Sequence, residues 1–327
     1  MANNLILSGN DLKILYGLVC CPQATDREVA AKLGLPRTTV TSTRNKLIKN
    51  QSYRRIYAPD FMKLGCELLT TLYGEFQGEV KHDLHEFGRA VKDGFSTAFY
   101  MLRNEGLHLS FGAARNLTQV KDEIKNHLQL HHDSGYLTDR RHNYVLFPLK
   151  MTDIHRFFDY RHLIASHLGE QVKEDPQATK SDGTSWNPSR SEKTVLSAIL
   201  ADPTANDEGI AKNTGLSRQT VNNCRNKLVR ENVIRQVGIP NVKHLGYTLA
   251  SFTHMHMNPH HQPGDRRQHR ESLLEDPAHI LKLEGDLESI VFSVHRDYVV
   301  YAKSKNRMMN IHNDAGWILE EPASHVF

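Results

Sequence analysis

Thr38, Thr41, Ser42 and Asn45 stand at i, i+3, i+4 and i+7, and the same spacing recurs in Gln219, Asn222, Asn223 and Asn226. On a helix this spacing puts each set on one face. Short hydroxyls and amides both donate and accept hydrogen bonds, as reading base edges in a DNA major groove requires. Arg37, Lys46 and Lys49 flank the first set, and Arg218, Lys227 and Arg230 the second, where cations can meet phosphates. A single polar stripe is ordinarily a solvated helix face. Two stripes with Arg37/Arg218 and Lys46/Lys227 at matching places favour the nucleic-acid reading. Arg44 and Arg225 fall four residues after Val40 and Val221 and lean inward, where an acidic partner competes with a DNA contact.

The stripes match because the chain around them repeats. At a constant offset of 181 and without a gap, Pro22–Gly65 lies over Pro203–Gly246 with about 17 of 44 positions identical. Each copy has a helix-turn-helix pattern. Asp26–Leu33 carries apolar residues at helical spacing, and Thr25 with Glu28 has the form of a capping box. Gly34 ends that helix, and Ser217 can cap the second copy's next one. Val40, Thr43 and Leu47, matched by Val221, Cys224 and Leu228, face inward. An earlier helix is expected from Asn10 or Asp11, and its counterpart follows Ser191, completing two three-helix units.

After each unit comes a basic extended segment, Tyr53–Tyr57 or Ile234–Gly238, which adds Arg54, Arg55 and Arg235 to the candidate DNA contacts. Then follow Pro59-Asp60-Phe61-Met62-Lys63-Leu64-Gly65 and Pro240-Asn241-Val242-Lys243-His244-Leu245-Gly246. That order resembles the Lrp/AsnC family of regulators, whose winged helix-turn-helix ends in a Leu-Gly hinge and leads into a ferredoxin-like effector and dimerisation domain. The resemblance covers about 65 residues of each half and implies DNA as partner, a small-molecule effector, and pairing of chains as an open question. Asn50/Gln51 and Asn232 stand where the family has glycine, and Thr43/Cys224 where it has arginine.

Beyond Gly65 the pattern predicts a βαββαβ order: a strand over Glu67–Phe76, a helix over Lys81–Val91, strands Ser96–Leu102 and Leu107–Ala113, a helix Leu117–Leu130 and a strand Tyr144–Phe147. Met151–Leu168 reads as an added helix bridging the two halves. The second half reads as a strand over Thr248–Met255, a helix Arg266–Leu274 and strands Ile280–Leu283 and Ser289–Val294. A further strand over Tyr298–Lys303 and a helix Asn306–Trp317 follow, a match of order without clean residue identity. The expected fold class is α+β: an internal tandem duplication of two winged helix-turn-helix domains, each followed by a ferredoxin-like domain. The boundaries are 1–65, 66–169, a polar linker 170–190, 191–246 and 247–327.

The 327 residues are 39% apolar, enough for several cores, and no stretch is long and apolar enough for a membrane span or a secretory leader. A cytoplasmic location is expected. Asp26–Gly65 holds nine Lys/Arg against three Asp/Glu, and Asp207–Gly246 seven against three, while the whole chain carries only +4. The positive charge therefore sits in the two helix-turn-helix segments and the rest is acidic. Cys20, Cys21, Cys66 and Cys224 have neither metal-ligand nor framework spacing and read as reduced, buried thiols.

His254 and His256 share one strand face and could begin a metal site, but no companion ligand shows in the spacing, so no metal and no cofactor are expected. His127, His131 and His132 read as a solvated helix end. No phosphate loop or nucleophile elbow is present. Siroheme decarboxylases also resemble Lrp/AsnC proteins, which implies a His-Asn-Tyr-x-Arg-type stretch for the tetrapyrrole carboxylates. Here the corresponding stretches hold only fragments, Tyr100 with Arg103 and His295 with Arg296. The sequence thus predicts a DNA-binding transcription regulator that is not an enzyme and has no catalytic residues. The alternative is a siroheme decarboxylase-like enzyme whose helix-turn-helix is a relic.

Overall fold

In the computed structural model of the chain, residues 7–75, 97–104, 106–133, 142–172, 186–260 and 275–327 are described. Helix α1 (Gly9–Cys20) opens on Ser8 and Asp11, each side chain bonding the other's backbone N–H. Thr25 and Glu28 do the same for α2 (Asp26–Leu33). Gly34, at φ +64°, takes the left-handed turn into α3 (Arg37–Lys49). Ile14, Leu15, Leu18, Val29, Val40 and Leu47 close the core of this unit.

The downstream unit is built alike, from α6 (Arg190–Ala201, capped by Ser189 and Glu192), α7 (Asp207–Thr214, capped by Asn206) and α8 (Arg218–Arg230, capped by Ser217). Its core is Val195, Leu196, Ile199, Ile210, Val221 and Leu228. Strands β1 (Tyr53–Pro59) and β7 (Ile234–Pro240), one from each unit, pair antiparallel as a two-stranded ribbon. Strand β7 crosses onto α1 of the other unit. A Cβ at Gly238 would lie 2.9 Å from the Leu18 carbonyl oxygen and 3.0 Å from Val19 Cα, so a side chain has no room there.

Two further sheets form the body. One is β3 (Ala98–Arg103), β4 (Leu107–Ala114), β2 (Leu68–Glu75) and β5 (Asn143–Pro148), in that spatial order, with α4 (Leu117–Asp133) following β4. The other is β11 (Ala323–Val326), β8 (Leu249–His256), β10 (Glu288–His295), β9 (His279–Glu284) and, on its edge, β6 (Asp153–Phe157), with α9 (Tyr298–Asp314) following β10. Leaving β6 aside, both have the strand order of a βαββαβ unit. The bounds of β8, β9, β10 and α9 each fall 181 residues after those of β2, β3, β4 and α4. The sheets meet through aromatic rings: Phe111 and Phe292, themselves 181 apart, lie 5.8 Å centre to centre, and Tyr73 and Phe252 4.9 Å.

Three local expectations are corrected. Met151–Leu168 is not one helix. It supplies β6, which pairs with β9 of the downstream sheet, then turns at Phe158 (φ +49°) into α5 (Arg161–Leu168), which packs on α1. Tyr298–Lys303 is not a strand, because the Asp297 carboxylate caps the Val300 N–H and starts α9. The cysteines are free thiols, half-buried rather than buried. The helices expected at Lys81–Val91 and Arg266–Leu274 lie outside the described residues. Among the described residues no helix is long and apolar enough to cross a membrane.

Candidate nucleic-acid interface

Helices α3 and α8 each turn one edge inward through Val40 and Leu47, or Val221 and Leu228, and leave the opposite edge to solvent. Arg37, Thr38, Ser42, Asn45 and Lys49 are exposed, as are Arg218, Gln219, Asn223, Asn226 and Arg230. Thr41 and Asn222 are half-buried and tied to the helix before: Thr41 Oγ1 donates to Asp26 (2.7 Å) and Asn222 Nδ2 to Asp207 (2.9 Å). On α8 the amides also bond along the helix, Gln219 to Asn223 and Asn226 to Asn222, each at 3.0 Å. Reading a base with these groups means exchanging one hydrogen bond for another.

The two lysines shared by the stripes are held from below. Lys46 Nζ lies 2.8 Å from Asp11 Oδ2, and Lys227 Nζ 2.5 Å from Glu192 Oε1. Asp11 and Glu192 are the acidic members of the capping boxes of α1 and α6. Each lysine thus joins the third helix of its unit to the start of the first by an ion pair, with its side chain 51% (Lys46) or 40% (Lys227) exposed. Burial alone would raise the Asp11 pKa, but the bonds from Lys46 and Ser8 outweigh it and hold the carboxyl below its usual range. The Lys227 ammonium, with the Ser189 N–H, lowers Glu192 likewise. The Ser-x-x-Asp and Ser-x-x-Glu spacings at Ser8 and Ser189 mark the two capping boxes in the sequence, though not their contact with the lysines. Arg44 and Arg225 are structural in the same sense, bound to Asp26 (2.9 Å) and Asp207 (3.0 Å) and to the carbonyls of Ala24 and Ala205.

The ribbon is not symmetric in its charges. Arg54 and Arg55 of β1 are exposed. Arg235, the counterpart of Arg54, is less open. It lies half-buried near Asp159, Arg161 and Asp60, and burial is the chief influence lowering its pKa. Asp159 and Arg161 open α5, which has no counterpart at the same offset among the described residues.

Of the histidines, His127 is buried beside His108 and His142 rather than solvated. His254 and His256 do share a face, and Glu288 joins them from the neighbouring strand, a pairing across β8 and β10 that sequence spacing could not reveal.

Residues 189–235 match the winged helix-turn-helix DNA-binding family model. Comparison with curated proteins finds no match. Among solved structures, siroheme decarboxylase NirDL is similar over 97% of this chain and 90% of its own, with TM-score 0.51 and 11% identity. LrpC of B. subtilis is similar over 43% of this chain and 94% of its own (TM-score 0.34, 18% identity). An AsnC family transcriptional regulator from Agrobacterium tumefaciens is similar over 42% and 90% (TM-score 0.34, 15% identity). The expectation of a non-enzyme is overturned here, since the likeness that spans the whole chain is to an enzyme. The chain carries a winged helix-turn-helix DNA-binding domain on a mixed α+β frame.

Proposed function

We propose that the chain is a transcription regulator that binds double-stranded DNA through two recognition helices, α3 and α8. In this reading it is a tandem duplication that folds as an internal pseudo-dimer. The observation that carries it is the ribbon register: Ile56 lies opposite Val237, its own counterpart at the offset of 181. A two-fold relation of this kind presents like helix faces to two half-sites, about one helical turn of DNA or a multiple of it apart. Thr38/Thr41/Ser42/Asn45 differ from Gln219/Asn222/Asn223/Asn226, so the preferred site is an imperfect palindrome. Selection from random duplex DNA tests this, and a perfectly palindromic site would count against two unlike reading faces in one chain. A small-molecule effector held by the sheets, and pairing of whole chains, belong to the same proposal through the Lrp/AsnC resemblance. Thermal-shift screening and sedimentation check them.

The whole-chain likeness to siroheme decarboxylase NirDL favours a second reading, a tetrapyrrole enzyme. Tyr100, Arg103, His295 and Arg296 were its candidate residues. Tyr100 lies within the aromatic contact between the sheets and His295 is buried, while Arg103 and Arg296 are exposed. Titration with siroheme, followed by its absorption band and by product analysis, decides this reading. Saturable binding with loss of carboxyl groups supports it, and an unshifted spectrum rejects it.

A further inference from the structure

His254 and His256 point to the same side of β8, and Glu288 of β10 stands directly across from His256 in the ladder. The His254 and His256 rings lie 4.6 Å apart, and His254 Nε2 is 3.8 Å from Glu288 Oε1. One donor atom from each of the three side chains falls within 4.8 Å of the others. From the open side Glu320 brings a carboxylate oxygen to 3.7 Å from His256 Nε2.

Two features separate this cluster from a chance gathering of histidines. First, His254 is only 4% exposed, and its Nε2 is buried without a hydrogen-bond partner, a state that is destabilising unless something binds the nitrogen. Second, its other ring nitrogen is engaged: Nδ1 lies 2.9 Å from the Tyr73 hydroxyl, contributed by the upstream sheet. When Nδ1–H donates to Tyr73, the Nε2 lone pair faces the cluster, the arrangement by which proteins orient a ligating imidazole. The corresponding positions upstream are Tyr73, Glu75 and Leu107, so the cluster belongs to the downstream sheet alone.

We infer that His254, His256 and Glu288 form a binding site for a divalent transition metal of the zinc type, with Glu320 as the closing ligand and Tyr73 as the positioning residue. Two imidazoles with carboxylate oxygen suit Zn²⁺, whose bonds of about 2.0–2.2 Å set tetrahedral donors about 3.4 Å apart. The buried His254 is the fixed ligand. His256 and Glu320, 47% and 66% exposed, can rotate in and leave the ion a path from solvent.

Calorimetric titration of the metal-stripped, full-length protein with Zn²⁺ tests this, with Co²⁺ absorption reporting the coordination. The wild type is expected to bind one equivalent. His256→Ala and Glu288→Gln, changes at half-open positions, should each weaken binding by at least about tenfold while the circular dichroism is unchanged. Tyr73→Phe should weaken it by about 10–100-fold without removing a ligand. Absence of stoichiometric binding to the wild type, or equal affinity in His256→Ala and Glu288→Gln, overturns the assignment.

Discussion

Ile56 and Val237 face each other at the middle of the β1–β7 ribbon, and they are the same position of the repeated stretch. The pairs on either side mirror one another: Tyr53 faces Pro240, and Ile234, the counterpart of Tyr53, faces Pro59, the counterpart of Pro240. A ribbon with this register has a two-fold axis through its centre. In the proposed reading this register sets how the two three-helix units are presented to DNA.

The Lys46–Asp11 and Lys227–Glu192 pairs separate a stability role from a DNA role. Lys46→Ala or Lys227→Ala is expected to lower the melting temperature and to leave the salt dependence of DNA binding nearly unchanged. Both carboxyls have lowered pKa values, so their contribution is present above the ordinary carboxylate range and is lost as the pH falls through the folded-state values. Melting curves at pH 7 and pH 3 check this. In Asp11→Asn that share of the acid sensitivity disappears.

The left-handed residues after α3 and α8 are Gln51 (φ +55°) and Asn232 (φ +53°). Asparagine visits this region at little cost, whereas a longer side chain is strained there. Gln51→Gly is expected to raise stability by about 1 kcal/mol and Asn232→Gly to change it little. Urea unfolding of the two variants measures the difference.

Gly238→Ala places a methyl group against the backbone of α1, which cannot swing aside as a flexible side chain would. A loss of about 1–3 kcal/mol is expected, with the ribbon and α1 loosened together. Chemical denaturation gives the magnitude, and amide exchange over β1, β7 and α1 gives its location. An unchanged midpoint would mean that β7 does not sit on α1.

These elements differ in how far the sequence foretold them. The helix-turn-helix units were legible because their determinants are local: Thr25 with Glu28, Gly34, and apolar residues at helical spacing. Strand β6 was not, because its partner β9 lies more than a hundred residues downstream and Ile154, Phe157 and Phe158 alone fit a helical face. Tyr298, Val299 and Val300 have strand-like residue types, yet they are exposed and the Asp297 cap decides their conformation. For the candidate site, residue types and spacing identified the exposed edges of α3 and α8. They did not show that Asp11 and Glu192 engage the shared lysines, or that Arg235 lies near Asp159. Both depend on where a separate element comes to rest.

Burial pushes the pKa of His108, His162 and His254 down to about 4, with Arg103 and His142 adding to the effect at His108, Arg156 and Arg161 at His162, and His256 at His254. Each is neutral in the fold and takes up a proton more readily when unfolded. Their stabilising contribution is therefore complete above about pH 6.5 and is lost as the pH falls toward 4. One such histidine is worth about 2 kcal/mol between pH 6.5 and pH 5. The urea midpoint should fall clearly between pH 7 and pH 5, and an unchanged midpoint would contradict the neutral, buried state of these rings.

The central claim, two phosphate-contacting helices in one chain, is tested most directly by fluorescence anisotropy with duplex DNA across a salt series. Wild type is compared with Arg37→Ala/Lys49→Ala and Arg218→Ala/Arg230→Ala, whose cations are exposed on α3 and α8. A steep slope of log affinity against log salt that flattens by about two in each double variant is the predicted result. Salt-independent binding, or a slope that neither variant changes, would contradict the account.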